Sequence, residues 1–380
     1  MSFTTLGLSK SLLDILSRKN FTKATPIQKA AIPAILNGKD VLGIASTGSG
    51  KTAGFVLPLL MNLQTERVTK NRHVSVLVLV PTRELAVQVL EVFQTFGSGL
   101  SKPVKSMAVY GGVSINPQMI GLQGVNVLVA TPGRLLELVQ SKAVHLSGIK
   151  TLVLDEADKM LNLGFKEEMN RIFALLPKKR QNLLFSATLS DDLDNINQFL
   201  LHDPLVIKIA DETNTIGLIN QVAYFVQEEK KGPLLRYLIK NNNWQQILVF
   251  TSSAFKADAV ADKLVKNGLD AEVIHSKKSQ WARTEALRQF KSGDIGVLVT
   301  TDLLARGIDI EFLPCVINYE LPRSPKDYIH RIGRTGRAES PGEAISFITP
   351  DDEHHFKIIQ KKMGKWVERI ETENLNLTGY

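Results

Sequence analysis

The chain has 380 residues, 44% hydrophobic and 22% charged, with 46 Lys and Arg against 38 Asp and Glu and a formal net charge of +8. That length accommodates two domains of ordinary size, each with its own core, and the composition excludes a low-complexity or disordered chain. A single cysteine, Cys315, leaves no disulfide framework and no Cys/His zinc cluster, while the basic balance favours a polyanionic partner, nucleic acid before a membrane surface.

The opening stretch MSFTTLGLSKSLLDIL lacks a basic segment followed by an apolar one, so no signal peptide is expected. The longest apolar runs, such as SVLVLV, fall far short of the ~20 residues that cross a bilayer. A soluble, cytoplasmic protein without a membrane partner is expected.

In chain order, the first-half strand candidates are Val41–Ala45, Ser75–Val80, Val104–Val109, Val125–Ala130, Thr151–Leu154 and Asn182–Ser186. Those of the second half are Ile247–Thr251, Ala271–His275, Ile295–Thr300, Cys315–Tyr319 and Ala344–Thr349. Most are continuous apolar runs, which predicts strands buried on both faces in a parallel sheet. Helical spacing fills the intervals, for example over Thr82–Gly97 and Ala254–Gly268. The polar, aperiodic stretch Ala210–Gly217 separates two complete α/β runs and reads as a linker. The predicted class is α/β, with domains at 1–209 and 218–380, each a mostly parallel sheet with helices on both faces. From about Asp351 the chain reads as a closing helix and a short end.

The strongest chemical signal is ASTGSGKT, Ala45–Thr52, between a strand and an apolar helix. Small residues (Ser46, Thr47, Gly48, Ser49, Gly50) let the backbone curl until its N–H groups face phosphate oxygens, and the helix N-terminus adds positive potential. Lys51 is placed to reach the β- and γ-phosphates and Thr52 to set its hydroxyl on Mg²⁺. The general pattern starts with Gly where this chain has Ala45. The second signal is TLVLDEADKM, where a buried strand ends in Asp155-Glu156-Ala157-Asp158. Alone, these acids could simply favour a helix start. Behind a phosphate loop they read as catalytic: Asp155 holds Mg²⁺ through water and Glu156 orients and deprotonates the attacking water. Together the two signals predict an NTPase without saying what the energy drives.

With DEAD in place, the chain resembles the DEAD-box RNA helicases of superfamily 2, nearest the bacterial RhlE-type branch, through ordered motifs from about residue 3 to 337. The resemblance implies two tandem RecA-like domains, ATP and Mg²⁺ as cofactors, RNA-stimulated ATP hydrolysis and monomeric action on single-stranded or short duplex RNA. NFTKATPIQ resembles the Q motif, with Phe3, Lys23 and Gln28 as implied nucleotide contacts. The Gln28 amide offers one donor and one acceptor to the adenine edge, whereas Phe3 reads either as a stacking ring or as an ordinary buried Phe. Asn20 and Ala24 stand where the family has Gly and Pro.

The resemblance also implies RNA contacts at Pro81, Thr82 and Arg83 of PTRELA, at Gly111 and Gly112, and at Thr131 and Arg134 of TPGR. In the second half it adds Thr251, Thr300, Thr301 and Arg306. Hydroxyls, glycine amides and Arg side chains of this kind suit a sugar–phosphate backbone, so binding is expected to be nearly sequence-independent. Ser186 and Thr188 of SAT, with Asp158 and His330, are implied to couple ATP state to RNA. Asp309 is implied to meet the ATP ribose. HRIGRTGR carries Arg331, Arg334 and Arg337 at three-residue steps, with Arg334 and Arg337 implied as arginine fingers beside Lys51, Asp155 and Glu156. HSKKSQWAR keeps Gln280 and Arg283 but has Ser276 where the family has Gly, leaving the turn after His275 open. Rival readings are an ATP-dependent RNA clamp with little unwinding and a DNA helicase.

Overall fold

In the computed structural model the described residues are all but 1, 47, 66–71, 189–199, 210–218, 243, 303–309, 311–312, 337–341 and 374. The chain divides into two compact units, residues 1–211 and 212–380. The expected linker, Ala210–Gly217, lies outside the described residues.

In the first unit the strands are β1 (Val41–Ile44), β2 (Val76–Leu79), β3 (Ser106–Val109), β4 (Val127–Ala130), β5 (Thr151–Leu154), β6 (Gln181–Ser186) and β7 (Leu205–Lys208). They form one sheet in the order β3-β4-β2-β5-β6-β1-β7, every pair parallel. Around it lie α1 (Lys10–Arg18), α2 (Pro26–Leu36), α3 (Lys51–Thr65), α4 (Arg83–Gly97), α5 (Ile115–Gly121), α6 (Pro132–Gln140), α7 (Ala157–Asn162) and α8 (Lys166–Leu175). Alternate residues of one strand feed two cores: Val76 and Val78 join the cluster containing Phe55 and Phe93, and Leu77 and Leu79 join that of Leu135 and Ile172. Burial on both faces is why these strands read as unbroken apolar runs, and each fully covered Val or Leu side chain contributes about 1.5–3 kcal/mol.

The second unit repeats the plan. Strands β8 (Ile219–Phe225), β9 (Ile247–Thr251), β10 (Ala271–Ile274), β11 (Val297–Thr301), β12 (Cys315–Asn318), β13 (Gly342–Ile348) and β14 (Glu368–Glu371) are ordered β10-β11-β9-β12-β13-β8-β14, again all parallel. The described helices are α9 (Lys231–Asn241), α10 (Ala254–Lys266), α11 (Gln280–Ser292), α12 (Pro325–Ile332) and α13 (Glu353–Met363).

Three strands are not evident in the sequence. In β7 only Ile207 is buried, because it is an edge strand. In β8 buried and open positions alternate and one inward position is polar Gln221. The third, β14, reads ERIE and pairs with β8 alone, so the expected short end is in fact an edge strand. An edge has a half-solvated surface, and the rule of continuous apolar runs does not find it.

Candidate functional site

The order β5-β6-β1 places three motifs side by side at the carboxyl end of the first sheet. ASTGSGKT leaves β1, SAT ends β6 and DEAD follows β5. Parallel pairing fixes their height, with Ile44 opposite Ser186 and Leu154 opposite Leu184. This is the edge at which open α/β sheets bind ligands.

Gly48 and Gly50 take positive φ (75° and 88°), which glycine alone adopts freely. A Cβ on Gly50 would also stand 2.4 Å from Gln28 Nε2. That approach exists because Gln28 Nε2 donates to the Gly50 carbonyl (3.1 Å) while its Oε1 accepts from Thr25 N–H (3.0 Å). Gln28 therefore ties the start of α2 to the phosphate loop. Thr25 precedes Pro26 at the first helical position, a local start signal. Lys51 Nζ donates to the Ala45 and Ser46 carbonyls, both at 2.6 Å. Burial lowers the affinity of this ammonium for its proton, against the pull of Asp155 and Glu156. Ser49 Oγ donates to Ser46 O (2.8 Å), and Thr52 opens the first turn of α3, half-buried. Thr47 lies outside the described residues. Lys23 is exposed; Phe3 is 3% exposed and belongs to the core.

Asp155 is fully enclosed, its Oδ1 accepting from Glu156 N–H (3.0 Å). Burial, then the neighbouring Glu156, pushes its pKa up to about 7, with Lys51 opposing. Glu156 has left-handed backbone (φ 54°, ψ 46°), uncommon for any residue but Gly and Asn and a mark of functional sites. Its carboxylate pairs with Lys159 Nζ at 2.7 Å. Sequence reasoning gives Lys159 no role; the signal was the i,i+3 spacing of opposite charges. Thr188 Oγ1 donates to Asp158 Oδ2 (2.8 Å) and Ser186 Oγ to Thr188 O (2.8 Å), so SAT and DEAD are joined directly. A buried carboxylate and a half-open hydroxyl, Asp155 and Thr52, are hard oxygen donors of the kind that Mg²⁺ selects.

Along the same edge, beyond β5, lie the loops after β2, β4 and β3. Pro81 is buried there, and Thr82 caps α4, its Oγ1 accepting from Leu85 N–H. Gly111 is half-buried, whereas Gly112 is exposed with φ 73°. A Cβ on Gly112 would fall 2.0 Å from Arg83 Nη2, so the guanidinium lies against the loop. Thr131 is buried before α6. Arg134, 6% exposed, donates through Nη2 to Val113 O (2.8 Å) and through Nε to Glu137 (2.9 Å), while Nη1 is buried without a partner. The loop is also clamped by Gln118, which bonds both the N–H and the carbonyl of Tyr110. Sequence reasoning misses Gln118 because a mid-helix Gln carries no motif.

In the second unit Thr251 ends β9 and Thr300 is the last residue but one of β11, both at 0% exposure. Thr251 Oγ1 faces Ser253 O and Thr300 O, and Thr300 Oγ1 faces Thr301 O. Their hydroxyls lie against strand-end carbonyls, and the half-buried Thr301 is the more open of the three. His330 is half-buried and Arg334 buried on and just after α12. Arg331 is 2% exposed and engaged throughout: with Asp302 through Nε and through Nη2 (2.8 Å), and with Asn318 Oδ1 (3.0 Å) and Glu320 O (2.6 Å) through Nη1. Arg306, Asp309 and Arg337 lie outside the described residues.

Two departures from the family pattern are resolved. Asn20 adopts φ 62°, the conformation that Gly would take and that Asn tolerates. Ser276 is not among the positive-φ residues, and the turn closes with Lys278 N–H on His275 O (3.1 Å), so no Gly is required there.

Residues 25–196 match the DEAD/DEAH box helicase family and residues 229–339 the helicase conserved C-terminal domain. A DEAD-box ATP-dependent RNA helicase CshA of Streptococcus pneumoniae is 43% identical over 361 residues, 95% of this chain and 68% of that one. Its namesake in Bacillus cereus is 40% identical over 376 residues, 99% and 70% of the two chains. Among solved structures, S. cerevisiae Dbp5 bound to RNA and ADP BeF3 superposes with a TM-score of 0.85 at 32% identity, covering 98% of this chain and 96% of that one.

Proposed function

The chain belongs to the DEAD-box ATP-dependent RNA helicases, and on that premise we propose how its own residues divide the work of coupling ATP hydrolysis to RNA. The observation that carries the reading is the junction of β1, β6 and β5, where phosphate loop, SAT and DEAD meet and Thr188 bonds Asp158. Gln28 selects the adenine edge, and the loop amides of residues 46–50 with Lys51 hold the phosphates, Lys51 exchanging two carbonyls for phosphate oxygens. Thr52 and Asp155 would hold Mg²⁺, which supplies neutralising charge to the phosphate oxygens. Glu156 orients the attacking water and accepts its proton. Arg334 and Arg337 are assigned to charge on the transferring phosphoryl group, and Asp309 to the ribose.

The loops carrying Arg83, Gly112 and Arg134 take the RNA backbone in the first unit, and those carrying Thr251, Thr300, Thr301 and Arg306 take it in the second. Backbone contacts make binding nearly sequence-independent. With Thr188 bonded to Asp158, and with His330, the two ligands report on one another. We assign the division into domains at 1–209 and 218–380, monomeric action and a cytoplasmic location to the same reading. Among the described residues no helix is long and apolar enough to cross a membrane.

The test is steady-state ATP hydrolysis without nucleic acid, with single-stranded RNA and with matched DNA, at one salt concentration. Stimulation by RNA and not by DNA is expected. Equal rates in all three would refute the assignment of coupling to these residues.

A further inference from the structure

The last long helix, α13, carries a pattern that neither the nucleotide site nor the strand-end loops use. Its exposed positions are His354, Lys357, Ile358, Lys361 and Lys362, spaced i, i+3, i+4, i+7, i+8 and so on one face. The opposite face buries Phe356, Ile359 and Gln360. No carboxylate occurs between His354 and Val367. Just past the helix, Trp366 is 73% exposed, and Ile358 within the stripe is 42% exposed. The flanking acids are Glu353, paired with Arg369 (3.6 Å), and the exposed Asp351 and Glu368, which lie before and after the stripe.

The stripe has a defined course. At its start, His355 Nε2 meets Pro322 O (2.8 Å), four residues beyond the end of β12 and at the same sheet edge as Thr251 and Thr301. At its end, Lys365 Nζ donates to Ile219 O, the first residue of β8, on the opposite edge. The 11-residue helix thus leads about 16 Å away from the strand-end loops down the side of the unit.

We propose that the outer face of α13 is an auxiliary surface for single-stranded RNA, taking the strand where it leaves the β9–β11 edge. Lys357, Lys361 and Lys362 meet successive phosphates and Trp366 stacks on a base. The inference rests on the RNA-helicase reading above. Within the stripe the charge is of one sign, and an exposed indole beside it supplies what a polyphosphate with π-faced bases recognises. A lipid surface fits less well, because a membrane-lying helix inserts a broad apolar face, whereas the apolar face of α13 is already buried in the core.

The experiment uses the full chain and labelled oligouridylate of 8 and 30 nucleotides. In K357A/K361A/K362A, affinity for the 30-mer is expected to fall on the order of ten-fold, and the slope of log affinity against log salt to flatten by about 2, roughly 0.7 for each phosphate no longer neutralised. ATP hydrolysis stimulated by the 8-mer stays at the wild-type level, which also shows that the variant folds. W366A is expected to lose several-fold on the 30-mer, and W366F to retain binding. Unchanged affinity and salt slope on the 30-mer would overturn the proposal, as would loss of binding to anionic phospholipid vesicles in place of RNA. Absence of RNA stimulation in the wild type would instead refute the functional reading itself.

Discussion

Replacing Arg331 with Met tests whether the second unit is held together at its functional edge by one buried guanidinium. Arg331 is 2% exposed, bonds Asp302 through two nitrogens and Asn318 and Glu320 through a third, and lies 4.9 Å from the centre of the Phe250 ring. Glu320 in turn accepts from the N–H and hydroxyl of Ser252, both at 2.7 Å. One side chain thus joins α12 to the ends of β9, β11 and β12. Removing one partner of a buried pair costs about 3–5 kcal/mol, and because the Asp302 side chain keeps 30% exposure the lower end applies, about 3 kcal/mol. With a urea dependence of about 2 kcal/mol per molar, the midpoint falls by about 1.5 M. All three tryptophans, Trp244, Trp281 and Trp366, lie in the second unit, so intrinsic fluorescence follows its unfolding selectively. Arg331→Lys should recover only part of the loss, since an ammonium cannot reproduce the planar fork. A midpoint shift below about 0.5 M in Arg331→Met would show that the network is not what holds this edge.

Other outcomes follow from the first-unit site and from a charged cluster in the second. Glu156→Gln should bind ATP and RNA normally while its turnover falls by about 10²–10⁴-fold, as expected for loss of a general base; wild-type single-turnover rates would remove Glu156 from that role. Thr188→Ala deletes the 2.8 Å bond to buried Asp158 and should lower stability by about 1–3 kcal/mol. In the same variant strand release per ATP hydrolysed should drop, and an unchanged ratio would uncouple this bond from RNA. Glu228 is subject to burial, which raises its pKa, but the hydrogen bonds from Lys231 and Lys256 outweigh that and leave it below the ordinary range. Its contribution is therefore present above the unfolded carboxylate pKa and lost as pH falls through the lower folded value. Urea midpoints of Glu228→Gln should lose the corresponding acid limb below about pH 4.5, and an identical acid limb in both proteins would count against the pairing.

Much of this molecule was legible from residue order alone. Runs such as VLVL at β2 and TLVL at β5 are covered on both sides, and that environment leaves so little choice of side chain that periodicity reveals both strand and sheet type. The phosphate loop and DEAD were equally plain, because glycine conformation, a helix start and a strand-end carboxylate are local requirements. What depends on strand order was hidden. No residue pattern says that β6 lies between β1 and β5, which is what brings Thr188 to Asp158, a link that only the family resemblance implied; the approach of Gln28 to Gly50 is likewise a matter of packing. Nor does the resemblance say how motif side chains are held: Thr251, Thr300 and Arg331 are buried, their polar atoms turned onto neighbouring strands. Strands β7, β8 and β14, at or next to a sheet edge, escaped because their pattern follows partners chosen only in three dimensions. Local chemistry was written in the chain; which groups meet was decided by packing, since burial leaves each polar atom to bond whatever the sheet order sets beside it.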